Sequence, residues 1–313
     1  MATKAKSSYK ITNWAKYNES LVQRGSITFW FSEDVIEKWG HANDRPKRGR
    51  PFTYSDLAIE CFLVLREMFK LPYRQTEGLG RSLAELMHVD VPIPDYTSLA
   101  KRASHLCISL NVASRTGSID VVVDSTGLKV FGEGEWKMRQ HGKSKRRTWR
   151  KLHLAVNPDT QEIEAEVLTE AGGHDADQVE NLLDQIDAPV DDFYGDGAYD
   201  QCKVYETLET QKIRPIIPPR RNAKITRHGN ANGPRLPRDE AIREIRRTGR
   251  KSWKEKIGYH LRSLSETAMY RVKCCFGNKL KNHLIKNQRI ESRIRSKILN
   301  HFTRLGLPQF VWS

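Results

Sequence analysis

Tyr259, Arg262, Glu266 and Lys273 lie in a stretch, 259–273, that holds neither proline nor glycine. A phenol, two cations and a carboxylate are the groups a protein uses to handle an anion and move a proton. At about 100° per residue on a helix, with Tyr259 at zero, Arg262, Glu266 and Lys273 fall at roughly 300°, 340° and 320°. Leu261, Leu264, Ala268 and Val272 gather on the far side, between roughly 140° and 220°. The spacing predicts one amphipathic helix with a core face and a narrow polar line. Alone, that line reads as a solvated face of mixed charge.

Two further carboxylates change its meaning. Ser118 to Asp124 is a β-branched run ending on an acid, followed by Ser125-Thr126-Gly127, which reads as a turn. Asp192 to Asp200 contains a short apolar strand that leads to Asp196 between Gly195 and Gly197. Taken singly, each acid is as readily a turn or capping residue. Acids at strand ends beside glycine turns approach one another in a mixed sheet, and a glutamate on a packed helix completes a set of three. Three convergent carboxylates repel unless a divalent cation neutralises them, and oxygen-only ligation suits Mg²⁺ or Mn²⁺. A pair of such ions clamps the attacking and leaving oxygens of a phosphodiester displacement.

The order Tyr259, Arg262, Glu266, Lys273, with two, three and six residues between successive members, resembles the Y-R-E-K signature of bacterial DDE transposases. Asp124 in Val-Asp-Ser-Thr and Asp196 in Gly-Asp-Gly-Ala-Tyr-Asp match that family's first two acids. Asn13 to Glu19 with Arg24-Gly25-Ser26, and Arg147 to Leu154, resemble the insertion sequence five family, nine-oh-three group. The resemblance runs from about Asn13 to the C-terminus. It implies a catalytic and metal-binding set of Asp124, Asp196 and Glu266, served by two Mg²⁺ (or Mn²⁺) ions per active site. Tyr259, Arg262 and Lys273 are then contacts to the transposon end. The implied partners are double-stranded DNA, both terminal inverted repeats and target, and a second copy of the chain in an active homodimer. No membrane partner is implied, and the expected location is cytoplasmic, associated with the bacterial nucleoid.

Charge agrees with a polyanionic partner. The 313 residues carry 53 Lys and Arg against 38 Asp and Glu, a net charge of +15, and that excess favours nucleic acid. It is concentrated: 212–256 holds 15 basic and 4 acidic residues, and 137–151 holds eight basic residues and no acid. Trp149 sits there among Arg147, Arg150 and Lys151, either stacking on an unpaired base or packing in the core. The five scattered cysteines have no C-x-x-C spacing, which argues against a zinc site or disulfide framework. No signal-like or 18-residue apolar run occurs, so a soluble intracellular protein is expected.

The elements that must position these groups follow in order. Residues 1–12 are polar, and 41–51 is a basic Pro/Gly connector, with an arm along DNA as its other reading. Helices are expected at Leu57–Lys70 behind a Ser55 cap, at Tyr73–Met87, and at Ser98–Leu110 behind a Thr97 cap. They read either as a plain three-helix packing or as a helix-turn-helix-like unit with Thr97, Ser98, Lys101 and Arg102 toward DNA. Strands follow at 119–124, 127–131, 152–156, 162–168, 190–194 and 214–217, with helices near 175–186 and 200–210. Asp120 shares a strand face with Asp124, and His174-Asp175 is either a helix cap or a neighbour of the metals. The acids are spaced by 72 and 70 residues, and the second gap holds a polar stretch, 218–238, expected as a mobile loop rather than an inserted domain. The tail places Ile290, Ile294, Ile298 and Leu299 at helical spacing, for packing on the catalytic domain. The expected architecture is α/β: residues 1–115 an all-α DNA-binding region that recognises the terminal repeats, 116–280 the catalytic domain, 281–313 a basic helical tail. Strand order supports α/β; the RNase H-like name, a mixed sheet flanked by helices, comes from the resemblance. Two rivals share parts of this reading, a nuclease that does not join ends and a repressor with an inert catalytic domain.

Overall fold

The computed structural model describes residues 9–28, 31–43, 49, 51–130, 149–227 and 236–312. The chain divides into two compact units, Met1–Ile108 with Lys297–Ser313, and Ser109–Ser296.

In the first unit, β1 (Tyr9–Ile11) pairs antiparallel with β8 (Phe310–Trp312). Helices α1 (Trp14–Gln23) and α2 (Glu33–Glu37) precede a three-helix group: α3 (Asp56–Met68), α4 (Tyr73–Leu86) and α5 (Tyr96–Ala103). Ser55 caps α3 as expected, its hydroxyl accepting from the Ala58 amide. The third helix departs from expectation. Asp95, not Thr97, is its cap: its Oδ1 accepts from both the Thr97 and Ser98 amides, while Oδ2 takes the Ser98 hydroxyl. The helix also stops at Ala103 rather than near Leu110, where the Ser104 and His105 side chains fold back on the Lys101 carbonyl.

The second unit is built on a mixed sheet: β2 (Ile119–Val130), β3 (Trp149–Val156), β4 (Ile163–Glu170), β5 (Val190–Tyr194), β6 (Arg214–Ile216) and β7 (Lys279–Leu280). The order is β4-β3-β2-β5-β6, with β7 alongside β2. The β2–β3 and β3–β4 pairs are antiparallel, while β2–β5, β5–β6 and β2–β7 are parallel. Odd-numbered residues of β2, from Ile119 to Val123, face a core with Phe193 and Tyr199. That core is covered by α6 (Val179–Leu183) and α7 (Cys202–Thr210) through Leu182, Val204 and Leu208. On the opposite face Val122 and Tyr194 pack with Ile216 and Tyr259. Helices α8 (Pro237–Thr248) and α9 (Arg250–Lys256) follow, then α10 (Ser263–Phe276) and α11 (Ile285–Leu305), whose residues from Lys297 onward are counted with the first unit. This mixed α/β arrangement, a mixed sheet flanked by helices, is consistent with an RNase H-like domain.

Two local expectations fail here. Ser125-Thr126-Gly127 is no turn. β2 continues through it because β3 supplies partners, Ser125 opposite His153 and Gly127 opposite Lys151. Gly127 serves that rung by lacking a Cβ, which would lie 3.1 Å from the Trp149 ring. The stretch expected as a mobile loop is tied down where it is described. Asp239, fully buried, accepts from the Thr226 and Arg227 amides, and Asp200 holds Arg220 and Arg238. Residues 228–235 lie outside the described residues.

Candidate active site

The polar line over 259–273 is not one helix. Gly258, at φ 68°, turns the chain into a 3-10 segment, Tyr259–Arg262, and only then does α10 begin. The tighter winding takes Tyr259 off the line and into the sheet-facing cluster, where it is buried with Val122, Tyr194 and Ile216. Its hydroxyl is pushed up to about 12, first by burial, with the charges of Asp196, Asp124 and Glu266 adding and Arg262 opposing. Lys254 Nζ sits 4.5 Å above its ring.

Asp124 is placed by β2, beyond its last paired rung with β5 at Val122 and opposite Leu154 of β3. Its Oδ1 accepts from the Ser125 amide at 2.8 Å. Burial raises its carboxyl above the ordinary range, and the Asp196 and Glu266 charges push the same way against the Ser125 amide and Arg262. Asp196 follows β5, and its Oδ1 accepts from the Ala198 amide at 2.8 Å, capping a 3-10 turn, Gly197–Tyr199. Glu266 projects from the first turn of α10 and is 58% exposed.

One guanidinium joins two of these acids. Arg262 donates through Nη2 to Asp124 Oδ2 at 2.9 Å and through Nη1 to Glu266 Oε1 at 2.7 Å. The structure therefore brings Asp124 and Glu266 to a shared cation. Among the described residues, no three His, Cys, Asp or Glu side chains are grouped tightly enough to hold one ion. Lys273 Nζ donates to Thr126 Oγ1 on the same β2 face as Asp124.

The other nominated residues are used in several ways. Trp149 lies across Gly127 with Lys129 Nζ 5.7 Å from its ring. Arg150 donates to Gln288 Oε1 at 2.8 Å, and Lys151 is paired with Asp175 at 2.7 Å. Arg147 lies outside the described residues. On α5, the Thr97 and Ser98 hydroxyls are bound to Asp95. Arg102 is held by Asp56 and the Tyr54 carbonyl under the Phe52 ring, and Lys101 is exposed. Asp120 keeps away from the centre, beside Asp192.

Two groups escaped the sequence reading. Tyr199, three residues after Asp196, is almost fully buried, and its hydroxyl has no hydrogen-bond partner among the described residues. It is raised well above its ordinary value by burial and then by the charges of Asp175, Asp124 and Asp196. Thr126, the partner of Lys273, was hidden by the misread turn.

A mixed sheet that carries acids on two adjacent strands, faced by a helix with a third acid and its own cations, defines an α/β enzyme domain for an anionic substrate. Two family models, each described as a transposase DDE domain, match residues 22–133 and 115–302. The chain belongs to the DDE transposases, metal-dependent enzymes that cleave DNA. No solved structure matches the chain. Among the described residues, no helix is long and apolar enough to cross a membrane.

Proposed function

We propose that this transposase binds the terminal inverted repeats of an insertion sequence, hydrolyses phosphodiester bonds at the element's ends, and joins the 3′-hydroxyls to target DNA. Asn13 to Glu19 with Arg24-Gly25-Ser26, and Arg147 to Leu154, together with the Y-R-E-K spacing, support placing it in the insertion sequence five family, nine-oh-three group. The carrying observation is the Asp124–Arg262–Glu266 bridge beside Asp196. A guanidinium holds together two carboxylates that repel one another, which is the environment a divalent ion would relieve. The residues fit such an ion: all donors are oxygens, and Asp124 is crowded by like charge.

Asp124, Asp196 and Glu266 would hold two Mg²⁺ or Mn²⁺ ions, which supply an activated oxygen nucleophile and stabilise the leaving oxygen. The Ser125 and Ala198 amides fix the aspartates through one oxygen each. Arg262, released from the acids, is the fork that grips a phosphate beside the scissile bond. Lys273 is anchored at Thr126 within reach of the same edge of β2. Tyr259 offers a hydroxyl that stays protonated at neutral pH. The N-terminal helices α3–α5 recognise the repeats in a helix-turn-helix-like manner, with Lys101 the most available phosphate contact, and two copies act together on paired ends.

The test uses a labelled duplex carrying the element's own ends, with the intact chain and Glu266→Gln, each in Mg²⁺ and in EDTA. End nicking and joining by the intact chain alone, with end binding retained in Glu266→Gln, is the expected result. Cleavage by Glu266→Gln would remove the site assignment, and nicking without joining would make the chain a nuclease.

A further inference from the structure

We propose that Asp175 is a positioning residue of the reaction centre, a fourth carboxylate that holds the Asp124 segment of β2 in place from the opposite face of the sheet. The inference rests on the assignment of Asp124, Asp196 and Glu266 as metal ligands.

Asp175 follows Gly172-Gly173-His174 and opens the 3-10 segment Asp175–Gln178. It caps nothing there: His174 occupies the cap position without a side-chain bond. The carboxylate instead reaches back onto the sheet. Its Oδ1 lies 2.7 Å from Lys151 Nζ and 3.3 Å from His153 Nδ1, and the Ser125 hydroxyl is among the groups close enough to lower its carboxyl. Ser125 and His153 face each other across β2 and β3, so Asp175 sits over one rung of the sheet. His153 is fully buried and fixed at its other nitrogen by Thr169 Oγ1 at 3.0 Å. His153, Lys151 and Ser125 together outweigh burial and hold this carboxyl well below the usual carboxylate range.

This clamp meets the site at two points. Ser125 is the residue after Asp124, and its amide is the donor that orients Asp124 Oδ1. The buried Tyr199 hydroxyl, without a hydrogen-bond partner among the described residues, feels the charges of Asp175, Asp124 and Asp196 together. Groups that orient metal ligands typically contribute about 10–100-fold to metal affinity.

The experiment measures Mn²⁺ binding to the full-length chain without DNA, by the free-ion electron paramagnetic resonance signal, alongside Tm. Asp175→Asn keeps the shape and removes the charge that holds Ser125. It should melt near the wild-type temperature and bind Mn²⁺ about tenfold more weakly, while Asp175→Glu recovers part of the loss and Asp124→Asn abolishes binding. Wild-type affinity in a folded Asp175→Asn, with binding lost in Asp124→Asn, would overturn the positioning role and leave the site assignment intact. Undiminished binding in Asp124→Asn would instead sink the site assignment. If Asp175→Asn fails to fold, Ser125→Ala decides, because it cuts the link to Asp124 and spares the Asp175–Lys151 pair. Weakened binding supports the clamp and unchanged binding refutes it.

Discussion

If Arg262 stands where a divalent cation belongs, removing it should tighten metal binding in the absence of DNA. Arg262 and Asp124 are mostly shielded from water, with side-chain exposures of 23% and 14%. A hydrogen bond to a charged group under such conditions contributes about 1.5–3 kcal/mol net. The Glu266 arm is 58% exposed, and as a solvated i,i+4 pair it adds only about 0.3–0.5 kcal/mol. An incoming ion therefore has roughly 2–3 kcal/mol of existing contacts to displace. At about 1.4 kcal/mol per factor of ten, Arg262→Gln should bind Mn²⁺ on the order of 30–100-fold more tightly. Repeating the titration at several pH values separates the gain from proton competition at the raised Asp124 carboxyl. The same variant should cleave end duplexes poorly, since no fork remains to grip the phosphate. Equal or weaker Mn²⁺ binding in folded Arg262→Gln would refute the idea that the guanidinium and the ion compete for one place. The two halves together describe an exchange: DNA draws the guanidinium away as the ion arrives, so each should favour the other's binding.

Two further predictions concern the scaffold. In α4 a Cβ at Gly80 would lie 2.1 Å from the buried Phe62 ring, whereas Gly78 has open space around it. Gly80→Ala should therefore destabilise by about 1–2 kcal/mol, the overpacking cost less the helix preference of alanine, while Gly78→Ala stabilises by roughly 0.5–1 kcal/mol. Denaturation midpoints that move in the same direction would contradict that packing. On the sheet, burial raises the Glu166 carboxyl to about 7, opposed by Arg293 and by the Ser292 hydroxyl. Because the folded value lies above the unfolded one, this group's contribution is complete below about pH 4.5 and is lost as pH rises through 7. Glu166→Gln should gain up to about 3 kcal/mol relative to wild type at pH 8 and nothing at pH 4; parallel stability curves for the two proteins would count against it.

The strands were legible because β-branched runs such as Val121-Val122-Val123 have few other destinations, and the order of strands then fixed which acids share an edge. The positions of Asp124 on β2 and of Asp196 just past β5 were readable for the same reason. What failed was local geometry decided by distant partners. Ser125-Thr126-Gly127 has turn chemistry, yet the pairing with β3 keeps it extended. A periodicity of 3.6 placed Tyr259 on the polar line, but a glycine in the left-handed region let the first turn wind as 3-10, and the apolar ring went to the sheet. Thr97 looked like a cap until the carboxylate two residues earlier is seen to hold both amides. Tyr199 carries no sequence signal beyond its spacing from Asp196, and its importance appears only when Asp175 arrives from another element.

Net charge misled in a more instructive way. An excess of +15 invites the view that each lysine or arginine near the acids waits for phosphate. Instead Lys151 is paired with Asp175, Arg238 with Asp200, Arg102 with Asp56, and Arg262 with two acids. A paired cation gains little by moving to phosphate unless something else neutralises the carboxylate it leaves. For Arg262 a divalent ion can take that place, and the exchange conserves charge. For Lys151 nothing comparable is at hand, because its carboxylate is also held by His153 and Ser125. Of the two, Arg262 is thus the cation free to follow DNA and Lys151 the one that must stay, although both lie in basic surroundings and the sequence nominates both for the same task.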